Sequence, residues 1–339
     1  MVKISNYISA NFTKSFLTIF LPFFLIISLV YLVKIAALTS QIQITFLELF
    51  KLYSYFVTDI IFYTLPLSFI VTLASVLVKL SQENELIALY ALGLNAKKIL
   101  RHLLVLGLLF SLLLGTISFL AMPLSKQLYK SFKEEKKAEA KLNIIAGKLG
   151  QKFGNYYIYV ENKNEGVFND MVIYQRFDMN EEQFFVAKTG KLNNKKTITS
   201  LLLNSGYGYT YSNNTLKQVK YKSLKVYEKP KKESFQFQDI IAYWGKATTD
   251  LGIMHKILFF AFLSLLPLLS LYIVASYTMI NPRYQPNRSF LVIFTTTFIL
   301  YITASALKKW GTPSLLLLCI FIAITIGKWL FHKRVAKYF

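Results

Sequence analysis

ILFFAFLSLLPLLSLYIVASYTMI, residues 257–280, runs for 24 residues without a charge. A helix needs ~20 apolar residues to cross the hydrocarbon core of a bilayer, so this stretch predicts a transmembrane span. Two more follow it, Ser289–Leu307 and Pro313–Phe331, the latter with Lys328 near its end. Three others precede a long polar stretch: Phe16–Leu38, interrupted by Lys34; Tyr53–Val78, carrying Asp59; and Leu103–Met122, ending at Pro123.

Composition agrees with this layout. The 339 residues are 54% hydrophobic and 17% charged, with a mean hydropathy of +0.43. Soluble domains carry about 25% charged residues. A chain this poor in charge cannot cover its apolar surface, so much of it faces lipid.

The formal charge of +22 is unevenly laid out. Residues 125–255 hold 22 Lys/Arg and 13 Asp/Glu, whereas the span-rich remainder holds 17 Lys/Arg and only four acids, Glu48, Asp59, Glu83 and Glu85. Basic residues beside membrane ends anchor topology and meet anionic headgroups. No basic-aromatic recognition module accompanies them, so no nucleic-acid partner is expected. Lys79, Lys97, Lys98 and Arg101 share one side of a six-span path with Arg283 and Arg288, with Lys333, Arg334 and Lys337, and with Lys3 and Lys14. That side is read as cytoplasmic and holds both termini. The first apolar run is too long for a cleaved leader and lacks a small-residue cleavage site, so it reads as a span.

Between the two groups of spans the pattern changes. Ser125–Leu142 is rich in Lys, Glu and Ala and reads as a helix leaving the membrane. After it come short aromatic and β-branched runs: Asn155–Glu161, Gly166–Gln175, Gln183–Lys188, Thr197–Leu203, Tyr207–Tyr211 and Thr215–Glu228. Gly, Asn and Asp separate them, and period-two alternation is plain over Lys220–Tyr227. These are strand and turn signals. The predicted fold class is therefore an α-helical membrane protein with an inserted all-β domain. Its parts are residues 1–123 with three transmembrane helices, residues 124–250 with the β domain, and residues 251–339 with three more helices.

The chain has no phosphate-cradling G-x-x-x-x-G-K-[ST], no G-x-S-x-G, no H-E-x-x-H and no cysteine pair, which speaks against an enzyme. Cys319 is the single cysteine, and His102, His255 and His332 lie far apart in sequence, so neither a metal nor a cofactor is expected. The informative cytoplasmic segment is residues 80–94, LSQENELIALYALGL. Leu86, Leu89, Tyr90 and Gly93 recur at helical spacing behind Glu83 and Glu85, and acids suit a helix start. The segment reads either as an ordinary interfacial helix or as a docking helix for a partner.

Glu85-Leu86-x-x-Leu89-x-x-x-Gly93, following Leu65-Pro66-Leu67, resembles the signature of the lipopolysaccharide-export permeases, the LptF/LptG family. Glu134-Glu135-x-x-Ala138-Glu139-Ala140-Lys141 and Phe237-Gln238-Asp239 are similar to the segments that enter and leave that family's periplasmic domain. Pro267-Leu268 with Asn281-Pro282-Arg283 resembles the LptF branch more than the LptG branch. The resemblance implies a permease subunit in the bacterial inner membrane. It would pair with a second such permease on a dimeric cytoplasmic ATPase of LptB type, and residues 80–94 would be the coupling helix. Its β-jellyroll would be periplasmic and would pass lipopolysaccharide to a periplasmic bridge protein.

Three lysines on the outward side then take on a second reading. Lys34, Lys308 and Lys309 are either snorkelling anchors or contacts for lipid A phosphates, as similar positions are in the permeases. Tyr156, Tyr157, Tyr159, Phe184 and Phe185 read as β-core, or in part as the lining of an acyl-chain slot. Two other function classes remain. One is a mechanotransmitting or ligand-sensing membrane protein. The other is a secondary transporter, which predicts broken helices with midplane ionisable groups.

Overall fold

The computed structural model describes residues 4–39, 44–142, 144–153, 156–164, 166–178, 181–195, 198–212, 215–227, 237–279 and 288–337. Lys3 and the Asn281-Pro282-Arg283 triplet lie outside the described residues. The chain divides into two compact units. One comprises Met1–Thr39, Thr45–Tyr129 and Phe237–Phe339, and the other comprises Ser40–Ile44 and Lys130–Gln236.

The first unit is helical. It contains α1 (Ile4–Thr39), α2 (Phe46–Gln82), the short α3 (Glu85–Ala91) and α4 (Ala96–Thr116). A π-turn at Ile117–Ala121 joins α4 to α5 (Met122–Leu142). After the β unit come α6 (Ile240–Gly245), α7 (Leu251–Ser264), α8 (Leu266–Thr278), α9 (Ser289–Trp310) and α10 (Pro313–Phe331). Among the described residues, five helices are long and apolar enough to cross a membrane, and the bent pair α7–α8 makes up to a sixth span. The helices overshoot their apolar centres. At 36 residues, α1 is about 54 Å long at 1.5 Å per residue, against a hydrocarbon core of ~30 Å.

Aromatic packing holds the unit together. Phe12 of α1 sits 5.2 Å from Phe69 of α2 and 6.1 Å from Phe110 of α4, centroid to centroid. Phe62 of α2 meets Phe260 of α7 edge-on at 5.3 Å. Packing tails off from α2 outward, because α2 is buried on nearly every face and lends its Phe62, Phe69, Leu73 and Leu77 to the core.

Prolines set the irregularities. Pro123 has no N–H to give to the carbonyl four residues back, that of Phe119. The indole Nε1–H of Trp244 donates to that carbonyl instead, at 2.9 Å. Trp244 also packs against the Phe119 ring at 5.6 Å. A freed backbone group at membrane depth must be satisfied within the protein, and here a tryptophan from α6 supplies the donor. Span four, which reads as one helix over Ile257–Ile280, is instead broken at Leu265 with a bend of 42°. Pro267 explains the break: it opens α8, where a missing N–H is tolerated, rather than sitting inside a continuous helix. Residues 261–270 carry no ionisable side chain, so this break lacks the chemistry of a coupling-ion site.

The second unit is an antiparallel sheet of β1 (Gln151–Phe153), β2 (Tyr156–Asn164), β3 (Val167–Asp178), β4 (Glu181–Lys195), β5 (Ile198–Ser212) and β6 (Thr215–Tyr227). The strands pair strictly in chain order, so the described sheet is a meander. The runs 197–203 and 207–211, expected as two strands, lie from Ile198 onward on one long strand, β5, while Thr197 lies outside the described residues. The apparent turn Asn204-Ser205-Gly206 stays in the ladder because Ser205 takes φ 53° and Gly206 has no side chain. A Cβ at Gly206 would run into the Val186 carbonyl and the Tyr221 hydroxyl, which are themselves hydrogen-bonded at 2.9 Å.

One face of the sheet is dry, built from Ile158, Val160, Ile173, Leu201 and Leu203. Phe185 and Tyr156 pack partly into it. Tyr157 and Phe184, read as core, are instead 42% exposed. They flank Tyr174 in a cross-strand row with centroid separations of 6.4 and 5.0 Å. The period of two along a strand decides this: Tyr157 precedes buried Ile158, and Phe184 precedes Phe185.

Candidate functional site

Two places in the helical unit gather charge, at opposite ends of the long helices. The first is built around Asp59 of α2. Its Oδ1 lies 3.9 Å from Lys126 Nζ on α5. Lys34 of α1 is a second electrostatic neighbour of Asp59, and Lys256 of α7 and Lys308 of α9 are neighbours of Lys126. Two lysines thus neighbour the carboxylate and two more neighbour Lys126, and all four are exposed.

Aromatic rings seat these cations. Lys34 lies 4.5 Å from the Tyr31 ring centroid. Lys126 lies over Phe260 and Lys308 over the adjacent Phe259, each at 5.3 Å. Such contacts hold an ammonium against an apolar wall while its remaining N–H groups stay available. Tyr31, Phe56 and Tyr129 continue the wall, with ring separations of 5.3 and 5.0 Å. The arrangement can bind an amphiphile that carries more than one negative charge on its polar end.

Of the expected lysines, Lys34 and Lys308 therefore belong to one cluster, whereas Lys309 lies over Trp310 at 4.4 Å. Lys126 and Lys256 were not singled out in the sequence. Lys126 sits in a polar run that reads as surface helix, and Lys256 precedes span four as an ordinary flanking charge. Below the cluster, Phe237-Gln238-Asp239 has a structural role. The Gln127 side chain clamps the Gln238 backbone with bonds of 2.8 and 3.1 Å, and Asp239 precedes α6, the helix that carries Trp244.

The second place is α3 and its flanks. Asn84 takes φ 58°, which breaks the chain between α2 and α3. At the far end Gly93 takes φ 79°, with Gly93 N–H bonding Tyr90 O at 2.9 Å and Leu94 N–H bonding Leu89 O at 3.2 Å. This pair of bonds is the Schellman stop, which favours a residue without a Cβ. Gly93 is thus a helix terminator.

The remaining residues of the 80–94 segment divide by face. Leu86 is 1% exposed, and Leu89 and Tyr90 pack against the same core. Burial pushes the Tyr90 hydroxyl pKa up, so it stays neutral. Outward face Ala88, Ala91 and Leu92, the last 78% exposed. Glu83 forms an exposed i,i+4 pair with Lys79 at 3.8 Å. Glu85 turns inward: the Tyr7 hydroxyl of α1 donates to its carboxylate, 2.9 Å from Oε1 and 2.8 Å from Oε2. Tyr7, Asn11, Lys14, Ser75, Lys79 and the two glutamates line a groove of about 290 Å³. Leu92 escaped the sequence reading because the period that groups Leu86, Leu89, Tyr90 and Gly93 marks the packed face rather than the free one.

The family model described as lipopolysaccharide export system permease LptF/LptG matches residues 6–333, nearly the whole chain. Among curated proteins, none matches the sequence.

Proposed function

The chain belongs to the lipopolysaccharide export system permease LptF/LptG family, and on that premise we propose that it forms half of an ATP-driven lipopolysaccharide extractor. It is a multi-pass inner-membrane permease subunit of lipopolysaccharide export. In the proposed arrangement both termini and α3 face the cytoplasm, and the β unit faces the periplasm. A second permease of the same family closes the cavity. A dimeric ATPase of LptB type hydrolyses the nucleotide, and a periplasmic bridge protein receives the lipid. Strand β6, at the edge of the described sheet and studded with Lys217, Lys220, Lys222 and Lys225, would present its outer side to a strand of that bridge.

The observation that carries this reading is the surplus of cations around Asp59. Lipid A phosphates would sit among Lys34, Lys126, Lys256 and Lys308, with its acyl chains against the aromatic wall. Lys309, over Trp310, contributes at the rim. The partner ATPase would grip α3 by Glu83, Ala88 and Leu92, while Leu86, Leu89 and Tyr90 key the helix to the spans and Gly93 ends it. Movement of α3 then reaches α1 through the Tyr7–Glu85 bond. Since α1 runs unbroken from Tyr7 to Lys34, a shift at one end is felt at the substrate end, about 40 Å away at 1.5 Å per residue.

The test is ATP-dependent release of lipopolysaccharide from proteoliposomes that contain the co-purified permeases and ATPase. Replacing Lys34, Lys126 and Lys308 together by Gln is expected to abolish release while leaving the ATPase bound. Release at the unmodified rate would sink the proposal.

A further inference from the structure

Helix α9 carries a second feature at the end opposite Lys308. Helices α9 and α10 both pack on α8 but meet each other at few points. The gap between them is a groove of about 450 Å³. Its walls are apolar along Val292, Leu300, Cys319 and Ile326, and Arg288 and Tyr277 form its mouth. The hydroxyls of Thr295 and Thr303, also on the wall, donate to Leu291 and Ile299 carbonyls at 2.8 Å, so they make no polar demand on an occupant. Arg334 lies beside the mouth rather than in its lining, its guanidinium 4.1 Å over the Tyr277 ring. From Arg288 to Thr303 the groove follows α9 for about 22 Å, longer than the ~15 Å of one leaflet's hydrocarbon.

We propose that this groove holds one anionic glycerophospholipid, with its acyl chain along Val292, Thr296 and Cys319 and its phosphate on Arg288. Apolar lining alone selects nothing inside a bilayer, because lipid tails are as apolar as the side chains they would meet. Selection comes from Arg288, the cation that lines the mouth. The site is separate from the substrate cluster whichever way the chain is oriented. Arg288 precedes the first turn of α9 and Lys308 lies in its last turn, so the two sites belong to opposite leaflets. A resident phospholipid there wedges α9 away from α10 and fixes the tilt of the helix that carries Lys308.

Cys319, the chain's single cysteine, reports directly on occupancy. The full chain, purified with its partners, is placed in nanodiscs of phosphatidylcholine, with or without phosphatidylglycerol, and modification of this chain by a small membrane-permeant maleimide is followed by intact mass. Phosphatidylglycerol should slow modification about fivefold, the size of one basic residue's attraction to an anionic lipid. Arg288→Gln should erase the difference while leaving the rate in pure phosphatidylcholine unchanged, and Arg288→Lys should keep it. Native mass spectrometry of the unmodified chain should retain one phosphatidylglycerol in preference to phosphatidylcholine. Equal protection by both lipids would mean that any acyl chain fills the groove and would overturn the proposal. Unchanging protection in every lipid would assign the groove to a partner helix, and a difference that survives Arg288→Gln would place the headgroup elsewhere; either result also overturns it. None of these readouts requires lipopolysaccharide release, so failure here is distinct from failure of the export reading.

Discussion

The two ends of the helical unit use charge in opposite ways. Around Asp59, Lys34 and Lys126 neighbour one carboxylate and Lys256 and Lys308 neighbour Lys126, so positive charge is left over. Around α3, Glu83 meets Lys79 on the surface and Glu85 takes its proton donor from a neutral phenol. A phenol satisfies the carboxylate's hydrogen bonding without cancelling its charge. One end therefore waits for an anion, and the other uses its acids to hold a helix in place. A ligand site and a mechanical joint place different demands on the same interaction, and the surplus or balance of charge tells them apart.

The largest expected effect separates the ends from one side. Leu86→Ala removes a fully buried anchor of α3, a class of change that costs about 2–5 kcal/mol. ATPase association, measured by co-purification, should be lost, while lipopolysaccharide binding at the lysine end persists. Loss of both would merge the two ends into one cooperative unit.

Lys34→Glu attacks the other end. Each basic residue near an anionic headgroup is worth about 1 kcal/mol, so reversal should weaken lipopolysaccharide binding about thirtyfold. ATPase association should not change. Normal binding by this variant would reduce Lys34 to a snorkelling anchor.

Tyr7→Phe keeps both ends and cuts the link between them. The bond is charge-assisted, but Tyr7 is 39% exposed, so a loss of about 1 kcal/mol is expected. Lipopolysaccharide released per ATP hydrolysed should fall about fivefold, with hydrolysis and lipid binding retained. An unchanged ratio would show that force travels by another route.

The smallest effect is Lys79→Gln. The Lys79–Glu83 side chains are 65% and 50% exposed, and exposed i,i+4 pairs contribute about 0.3–0.5 kcal/mol. No change in association beyond that size should appear in a binding titration. A large loss would make Lys79 itself a docking residue.

Much of this molecule is legible one residue after another. The six apolar runs, the inserted strands and the short helix between spans two and three follow from local periodicity. Hydropathy and alternation are properties of neighbours in sequence, and burial in lipid or in one sheet face imposes them directly.

Tertiary structure alone decided the rest. Lys34, Asp59, Lys126, Lys256 and Lys308 come from five different helices, and no local pattern links them. Tyr7 and Glu85 are 78 positions apart, and Trp244 answers for Pro123 across 125 positions by donating to Phe119. Even the continuity of β5 depends on Gly206, where a Cβ would meet the Val186 carbonyl and the Tyr221 hydroxyl. Composition alone makes the chain a membrane protein, because apolar area must leave water whatever its order. Which charges meet depends on how the helices pack, because a Coulombic or hydrogen-bonded partner is chosen by distance in space.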